Sequence, residues 1–303
     1  MYDILIIGGG PAGLTAALYA CRAGRSVAVL ERAAVGGQIL NSPLVENYPG
    51  LPQVAGADFA AALQEQAETL GAEILYEEAE TAERTDSGFL VHTDAGDRET
   101  RALILAIGAQ HRMLGLPGEE ELTGRGVSYC AVCDGAFFAG RDVAVVGGGD
   151  TALQDALFLS GTSAHVTLLV RRDRFRGEAA RADALRRRDN VDIRFLTTVE
   201  ALHSDENGLT GVTLRDRNSG AQSELGVDGL FLAVGQKPDS GPFSALAATD
   251  AQGYFSAGED MLTATPGVFV AGDCRSKRVR QLTTAVGDGG AAAIAACAWL
   301  DHG

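Results

Sequence analysis

Ile4-Leu5-Ile6-Ile7-Gly8-Gly9-Gly10-Pro11-Ala12-Gly13 is the stretch whose reading decides the fold. Four consecutive apolar residues with no polar alternation describe a strand buried on both faces, as in a parallel sheet covered by helices. The run enters Gly8, Gly10 and Gly13, the G-x-G-x-x-G spacing of a dinucleotide-binding turn. The first glycine makes the turn, the second lets a pyrophosphate approach the backbone, and the third packs helix on strand. Pro11 and Ala12 complete the turn, and the helix beyond it leaves its N-terminus as an anion site. A helical stretch from Leu14 to Ala23 ends at Gly24, and a second β-run from Ser26 to Leu30 ends at Glu31. There an acid can bind the ribose hydroxyls of the adenosine half of a dinucleotide.

The pattern returns. Asp142–Val146 reads as a strand, followed by Gly147-Gly148-Gly149-Asp150-Thr151-Ala152, a helix to about Ser160 and a strand from Ala164 to Val170. Gly147, Gly149 and Ala152 fit the G-x-G-x-x-A variant. Here no acid ends the second strand; Val170 is followed by Arg171-Arg172-Asp173-Arg174-Phe175-Arg176. Arginines supply charge-assisted, bidentate donors to a 2′-phosphate, which selects NADPH over NADH. Between the two units Ala102–Ala109 forms a buried strand ending in a glycine turn at Gly108, and Gly229–Gly235 is its counterpart. Val268–Asp273 is one more short strand with a Gly-Asp end, too short for a domain and expected to rejoin the first unit. The expected fold is therefore α/β, with two nucleotide-binding Rossmann-like domains, the NADPH domain inserted into a discontinuous FAD domain. The expected boundaries are 1–113 and 239–303 for the FAD domain and 114–238 for the insertion.

The 303 residues suffice for two such cores. A net charge of −15 and an aromatic content of 6% oppose a nucleic acid as partner. No apolar run reaches the roughly 18–20 residues of a membrane span. Met1-Tyr2-Asp3 leads straight into the first strand without a signal-peptide pattern. Five cysteines do not make a secreted disulfide framework, so the cytoplasm is the expected compartment.

Cys130-Ala131-Val132-Cys133-Asp134 carries the redox reading. Two thiols separated by two residues can close a small disulfide and exchange it reversibly. Half of a zinc site is the competing reading, but Cys21, Cys274 and Cys297 are scattered and the five histidines isolated, so no metal is expected. Those three cysteines are expected to fill core space. Asp134 stands where thiol–disulfide exchange needs a proton donor or acceptor, although a plain surface aspartate explains it equally well from chemistry alone.

The ordered set of both glycine turns, Glu46-Asn47-Tyr48-Pro49-Gly50, Cys130–Gly135, Ala271-Gly272-Asp273 and Arg280-Gln281-Leu282-Thr283-Thr284-Ala285 resembles the bacterial low-molecular-weight thioredoxin reductases along nearly the whole chain. The resemblance implies electron flow from NADPH through FAD and a Cys130–Cys133 disulfide to oxidised thioredoxin, in a homodimer whose inserted domain rotates between half-reactions. The first fingerprint and Glu31 would hold the ADP half of FAD. Gly37, Gln38, Asn47, Gly108, Gly272, Asp273, Arg280, Gln281 and Leu282 would line the rest, with Asp273 near the ribityl chain. Cys133 would face the flavin, Cys130 would attack thioredoxin, and Asp134 would serve the exchange. Gly147, Gly149, Asp150, Thr151 and Ala152, with Arg171, Arg172 and Arg176, would hold NADPH. Val170, where relatives often have histidine, and Cys274, an extra thiol beside Asp273, depart from the pattern. A ferredoxin donor, another disulfide acceptor, and a non-catalytic nucleotide or redox sensor are the alternatives. The dithiol opposes the last, and the intact second turn with its arginines opposes the first.

Overall fold

The computed structural model describes residues 1–302. The chain divides into two compact units, one formed by Met1–Gln110 with the chain from Lys237 onward, the other by His111–Gln236. It passes between them at β7 (Gln110–His111) and β16 (Gln236–Lys237).

The first unit begins with β1 (Tyr2–Ile7), α1 (Pro11–Arg22) and β2 (Val27–Leu30). It continues through α2 (Gly56–Thr69), β3 (Glu73–Leu75), β4 (Ala79–Thr85), β5 (Gly88–Thr93) and β6 (Gly96–Leu105), and closes with β17 (Val268–Val270) and α6 (Leu282–His302). Strands β3, β2, β1 and β6 run parallel in that order. β6 changes neighbour along its length. Its first half pairs antiparallel with β5, through Phe89–Thr100, and β5 pairs with β4. From Leu103 the same edge takes β17 in parallel, Val268 opposite Leu103 and Val270 opposite Leu105. The last short strand thus rejoins the first unit as the sequence suggests.

The unbroken apolar run of β1 is explained by burial on both faces. Ile4 and Ile6 pack with Val29, Ile104 and Phe269 beneath α1 and α6, while Leu5 and Ile7 pack with Leu103, Leu105, Phe243 and Phe255 on the other side. Each fully buried side chain of this kind contributes about 1.5–3 kcal/mol. α1 starts three residues earlier than the apolar periodicity indicates, because Pro11 with its fixed φ occupies the first turn and the end of the glycine motif lies inside the helix. α1 and α6 approach closely through small residues: a Cβ on Gly289 would lie 2.1 Å from the Ala12 carbonyl oxygen.

The second unit comprises β8 (Val127–Ser128), α3 (Ala131–Asp134), β9 (Asp142–Val146), α4 (Asp150–Leu159), β10 (His165–Val170), α5 (Ala179–Arg186) and β11 (Val191–Phe195). Then come β12 (Thr197–Asp205), β13 (Gly208–Asp216), β14 (Gln222–Gly226) and β15 (Gly229–Leu232). Its parallel sheet has the order β11-β10-β9-β15-β8, beside an antiparallel meander β12-β13-β14. The segment Leu114–Glu119 is a fixed loop of this unit. The Glu119 carboxylate, 1% exposed as a residue, accepts from the amides of Leu114 (2.9 Å), Gly115 (2.8 Å) and Leu116 (3.2 Å), and from the Tyr129 hydroxyl (3.1 Å).

Candidate functional site

In each unit the glycine turn leaves the carboxyl end of the central strand, where open α/β sheets bind ligands. The three glycine-motif positions differ in what surrounds them, and the difference repeats. Gly8 has φ +109°, and a Cβ there would stand 2.4 Å from the Ala106 carbonyl oxygen; Gly147 has φ +152°, with Ala233 oxygen at 2.5 Å. Both are required by the protein's own backbone. At the second position a Cβ on Gly10 would meet nothing closer than Gly36 oxygen at 4.0 Å, and one on Gly149 nothing within 4 Å. A side chain there is excluded by no protein atom, which is the property a ligand-approach position needs. At the third, Gly13 would collide with Gly8 oxygen at 1.9 Å, and Ala152 already packs against Gly147.

The first unit gathers the residues expected around FAD. Glu31 Oε2 accepts from Gly9 N and its Oε1 from Ala33 N, both at 2.9 Å, so the carboxylate is fixed with lone pairs to spare for hydroxyl donors. Gly36 N donates to Gly9 oxygen at 2.8 Å, bringing Gly37 beside Gly10, and Gln38 Nε2 donates to the Ala109 carbonyl next to Gly108. Asn47 Nδ2 reaches Gln281 Oε1 at 3.5 Å across 234 residues of sequence. Arg280 lies with its guanidinium carbon 3.9 Å from the centre of the Tyr254 ring and donates to the carbonyls of Asp273 and Arg275, so it braces this turn from behind. Asp273 is the least satisfied group. Its side chain is one-third exposed, yet Oδ1 is buried and accepts no hydrogen bond. A buried acceptor without a donor costs about 1–3 kcal/mol, and a hydroxyl-bearing ligand removes that cost. The open second glycine, the fixed Glu31 and the unsatisfied Asp273 fit an adenine dinucleotide with a polyol segment.

In the second unit Arg171, Arg172 and Arg176 follow β10, all exposed. Their backbones are pinned: Arg217 donates to Arg171 oxygen at 2.8 Å, Leu196 N to Arg172 oxygen at 3.0 Å, and Arg176 N to Gly148 oxygen at 2.7 Å. No ion pair among the described residues engages their guanidinium groups. Asp150, by contrast, is engaged by Glu178 N at 2.9 Å and Arg181 at 3.1 Å, which fixes the start of α5 beside the turn. Val170, 2% exposed, packs against Gly148.

Cys130 and Cys133 form a disulfide at the start of α3. Cys130 is the N-cap, and its sulfur accepts from Cys133 N at 3.2 Å. α3 packs on α4 through Gly135, where a Cβ would meet Phe158 and Leu159 at 3.0 Å. Ser128 is the residue the sequence did not single out. Its hydroxyl accepts from Cys130 N at 3.1 Å and donates to Asp134 Oδ2 at 2.6 Å, tying the carboxylate to the first cysteine. Burial pushes the Asp134 carboxyl above the usual range, partly opposed by the Ser128 hydrogen bond. Tyr129 stacks on His111 at 4.8 Å; burial holds the Tyr129 phenol up at about 12 and His111 down at about 4.

Cys274 and Cys297 are buried and Cys21 half-buried, packed against the core. Cys274 donates to the carbonyls of Ala271 (3.2 Å) and Leu105 (3.5 Å), and burial pushes its thiol up to about 12. A thiol held protonated and out of reach does not exchange. Cys274→Ser, whose hydroxyl suits the same carbonyls, is therefore expected to leave turnover unchanged. Native Cys274 should resist alkylation, which peptide mapping after iodoacetamide would check.

Two glycine-turn nucleotide units, one bearing a Cys-x-x-Cys disulfide, define a flavin- and nicotinamide-dependent oxidoreductase that works through a disulfide. The chain belongs to the pyridine nucleotide-disulphide oxidoreductase family, which matches residues 2–289. It is 44% identical over 294 residues to a thioredoxin reductase of Listeria innocua, covering 96% of this chain and 92% of the relative. A thioredoxin reductase of Bacillus subtilis is 43% identical over 296 residues, covering 97% and 93%. A solved structure of thioredoxin reductase from Streptococcus pyogenes superposes with a TM-score of 0.95 at 40% identity, covering 100% of this chain and 99% of that one.

Proposed function

We propose that this enzyme is an NADPH-dependent thioredoxin-disulfide reductase, with FAD held by the first unit and NADPH by the second. The observation that carries the proposal is the Cys130–Cys133 disulfide, placed in the same unit as a glycine turn followed by unpaired arginines. When bound, FAD would accept two electrons from the nicotinamide and pass them to a disulfide. The chain's own residues would do the rest. The residues from Gly8 to Gly13 and Glu31 would fix the adenosine half. Gly37, Gln38, Asn47, Gly108, Gly272, Asp273, Gln281 and Leu282 would position the remainder. Gly147 to Ala152 would admit the nicotinamide nucleotide, and Arg171, Arg172 and Arg176 would bind its 2′-phosphate.

Once the disulfide is reduced, the Cys130 thiolate attacks one sulfur of the thioredoxin disulfide. A mixed disulfide forms and one thioredoxin thiolate leaves. Cys133 then attacks Cys130 Sγ, releasing the second thioredoxin thiolate and restoring the Cys130–Cys133 bond. Two electrons and two protons pass to thioredoxin. Asp134, raised by burial and joined to Cys130 through Ser128, is suited to relay the protons. Rotation of the inserted unit between half-reactions, a homodimeric assembly and a cytoplasmic setting enter this proposal through kinship with the family. Among the described residues no helix is long and apolar enough to cross a membrane. The unpaired arginines favour NADPH over a ferredoxin donor.

The test is an anaerobic reduction of the purified protein. A yellow protein bleached by NADPH much faster than by NADH, with turnover of thioredoxin, is the expected result. Flavin that neither nucleotide reduces would exclude the nicotinamide donor.

A further inference from the structure

Asp273, Lys277 and Asp288 belong to one buried charge cluster that the sequence does not reveal as such. Arg275 and Asp288 form a two-pronged pair, Nε to Oδ2 at 3.2 Å and Nη2 to Oδ1 at 3.1 Å, with side chains 8% and 9% exposed. Asp288 Oδ2 also accepts from Gly272 N at 3.1 Å, fastening the turn that carries Asp273 to α6. Lys277, 7% exposed, donates to Asp288 Oδ2 at 3.0 Å and to Thr284 Oγ1 at 3.3 Å. Thr284 in turn accepts from Gln281 N at 3.0 Å, the reciprocal cap that opens α6. Lys277 and Lys237 are the only lysines in a chain otherwise reliant on arginine.

Arg275 and Asp288 neutralise each other, so the Lys277 charge is the surplus of the trio. Its nearest remaining anion is Asp273, whose Oδ1 lies 3.5 Å from Nζ and forms no hydrogen bond. Of the other charges around this carboxylate, Arg280 acts in the same direction as Lys277 and Asp288 against it. α1 also packs on this turn and brings no charged side chain before Arg22 in its last turn. Burial alone would drive Asp273 toward the neutral acid.

We propose that Lys277, held in place by Arg275–Asp288 and Thr284, is the fixed counter-charge that keeps Asp273 ionised, so that Asp273 accepts a charge-assisted hydrogen bond from the polyol chain of the bound flavin. Lys277 is thus a positioning residue for cofactor retention. This rests on the reading that the first unit holds FAD. A point charge at that distance, without a hydrogen bond of its own to Oδ1, leaves the oxygen free for the ligand. Charge-assisted hydrogen bonds are about twice as strong as neutral ones.

The experiment follows the release of FAD from diluted holoenzyme by its fluorescence between pH 6 and 9. Lys277→Met is expected to release FAD roughly tenfold faster than wild type at pH 7, a difference of about 1.4 kcal/mol. The gap should narrow as pH rises and Asp273 ionises without help. Lys277→Arg should restore retention. Lys277→Gln, which keeps a donor without the charge, should resemble Lys277→Met and serves if that variant does not fold. In an Asp273→Asn background the Lys277 change should add nothing, because the two act through one contact. Unaltered release in Lys277→Met and Lys277→Gln, or an acceleration equal at every pH and undiminished with Asn at 273, would overturn the proposal. A wild-type protein that carries no flavin would instead overturn the FAD assignment on which it stands.

Discussion

Cys133→Ser and Cys130→Ser are each expected to lower thioredoxin reduction to below roughly one part in a thousand of wild type, since neither variant can complete the two-thiol relay. The loss should be confined to that half of the reaction. Both cysteines lie in the second unit and the FAD-lining residues in the first, so flavin content and anaerobic bleaching by NADPH should persist. Folding should persist as well, because a bond between residues three apart removes little entropy from the unfolded chain. The two variants should differ in one respect. Cys133→Ser keeps the attacking thiol and is expected to form a mixed disulfide with oxidised thioredoxin, visible on a non-reducing gel. Cys130→Ser should not. A mixed disulfide formed only by Cys130→Ser would reverse the roles assigned to the two sulfurs.

What the sequence made legible was local chemistry. Both strand–turn–helix units stand where the glycine spacing puts them, and the Cys-x-x-Cys closes as a disulfide, because each depends on residues within a few positions of one another. Edges were less legible: α4 ends at Leu159, one residue before the expected Ser160, and β6 ends at Leu105, short of Ala109. The antiparallel meanders were missed altogether. β4, Ala79–Thr85, is mostly polar and five of its seven residues are exposed, so no apolar period marks it. α6 was hidden for another reason. Gly287, Gly289 and Gly290 weaken its helical signal, yet the helix runs through them; at Gly289 a Cβ would meet the Ala12 carbonyl oxygen of α1 at 2.1 Å, whereas Gly290 is in ordinary contact with Tyr19 and Gly287 has open space. Around the site, Ser128 is only two residues from Cys130 but has no motif of its own. Asp288 meets Gly272 and Lys277 only after α6 folds back on the turn. Such partners are set by tertiary closure, for which a single sequence carries no period.

Gly13→Ala and Gly10→Ala separate the two uses of glycine in the first turn. Helix propensity alone would favour alanine at position 13 by about 1 kcal/mol. The structure reverses that sign. A Cβ at Gly13 would sit 1.9 Å from Gly8 oxygen, and α1 cannot retreat, because on its far side Ala12 already meets Gly289 of α6 at backbone distance. Overpacking of this kind costs about 1–3 kcal/mol, occasionally more. Gly13→Ala is therefore expected to lower the melting temperature of the protein and to purify with little or no FAD. At Gly10 no protein atom lies closer than 4.0 Å to the added methyl group, so Gly10→Ala should keep the wild-type melting temperature of the apoprotein while losing flavin affinity. The ratio of flavin to protein absorbance, read beside the apoprotein melting curve, distinguishes them. A Gly10→Ala protein that retains stoichiometric FAD would show that the ligand does not approach the backbone at this turn, and the role given to the second glycine would fall with it.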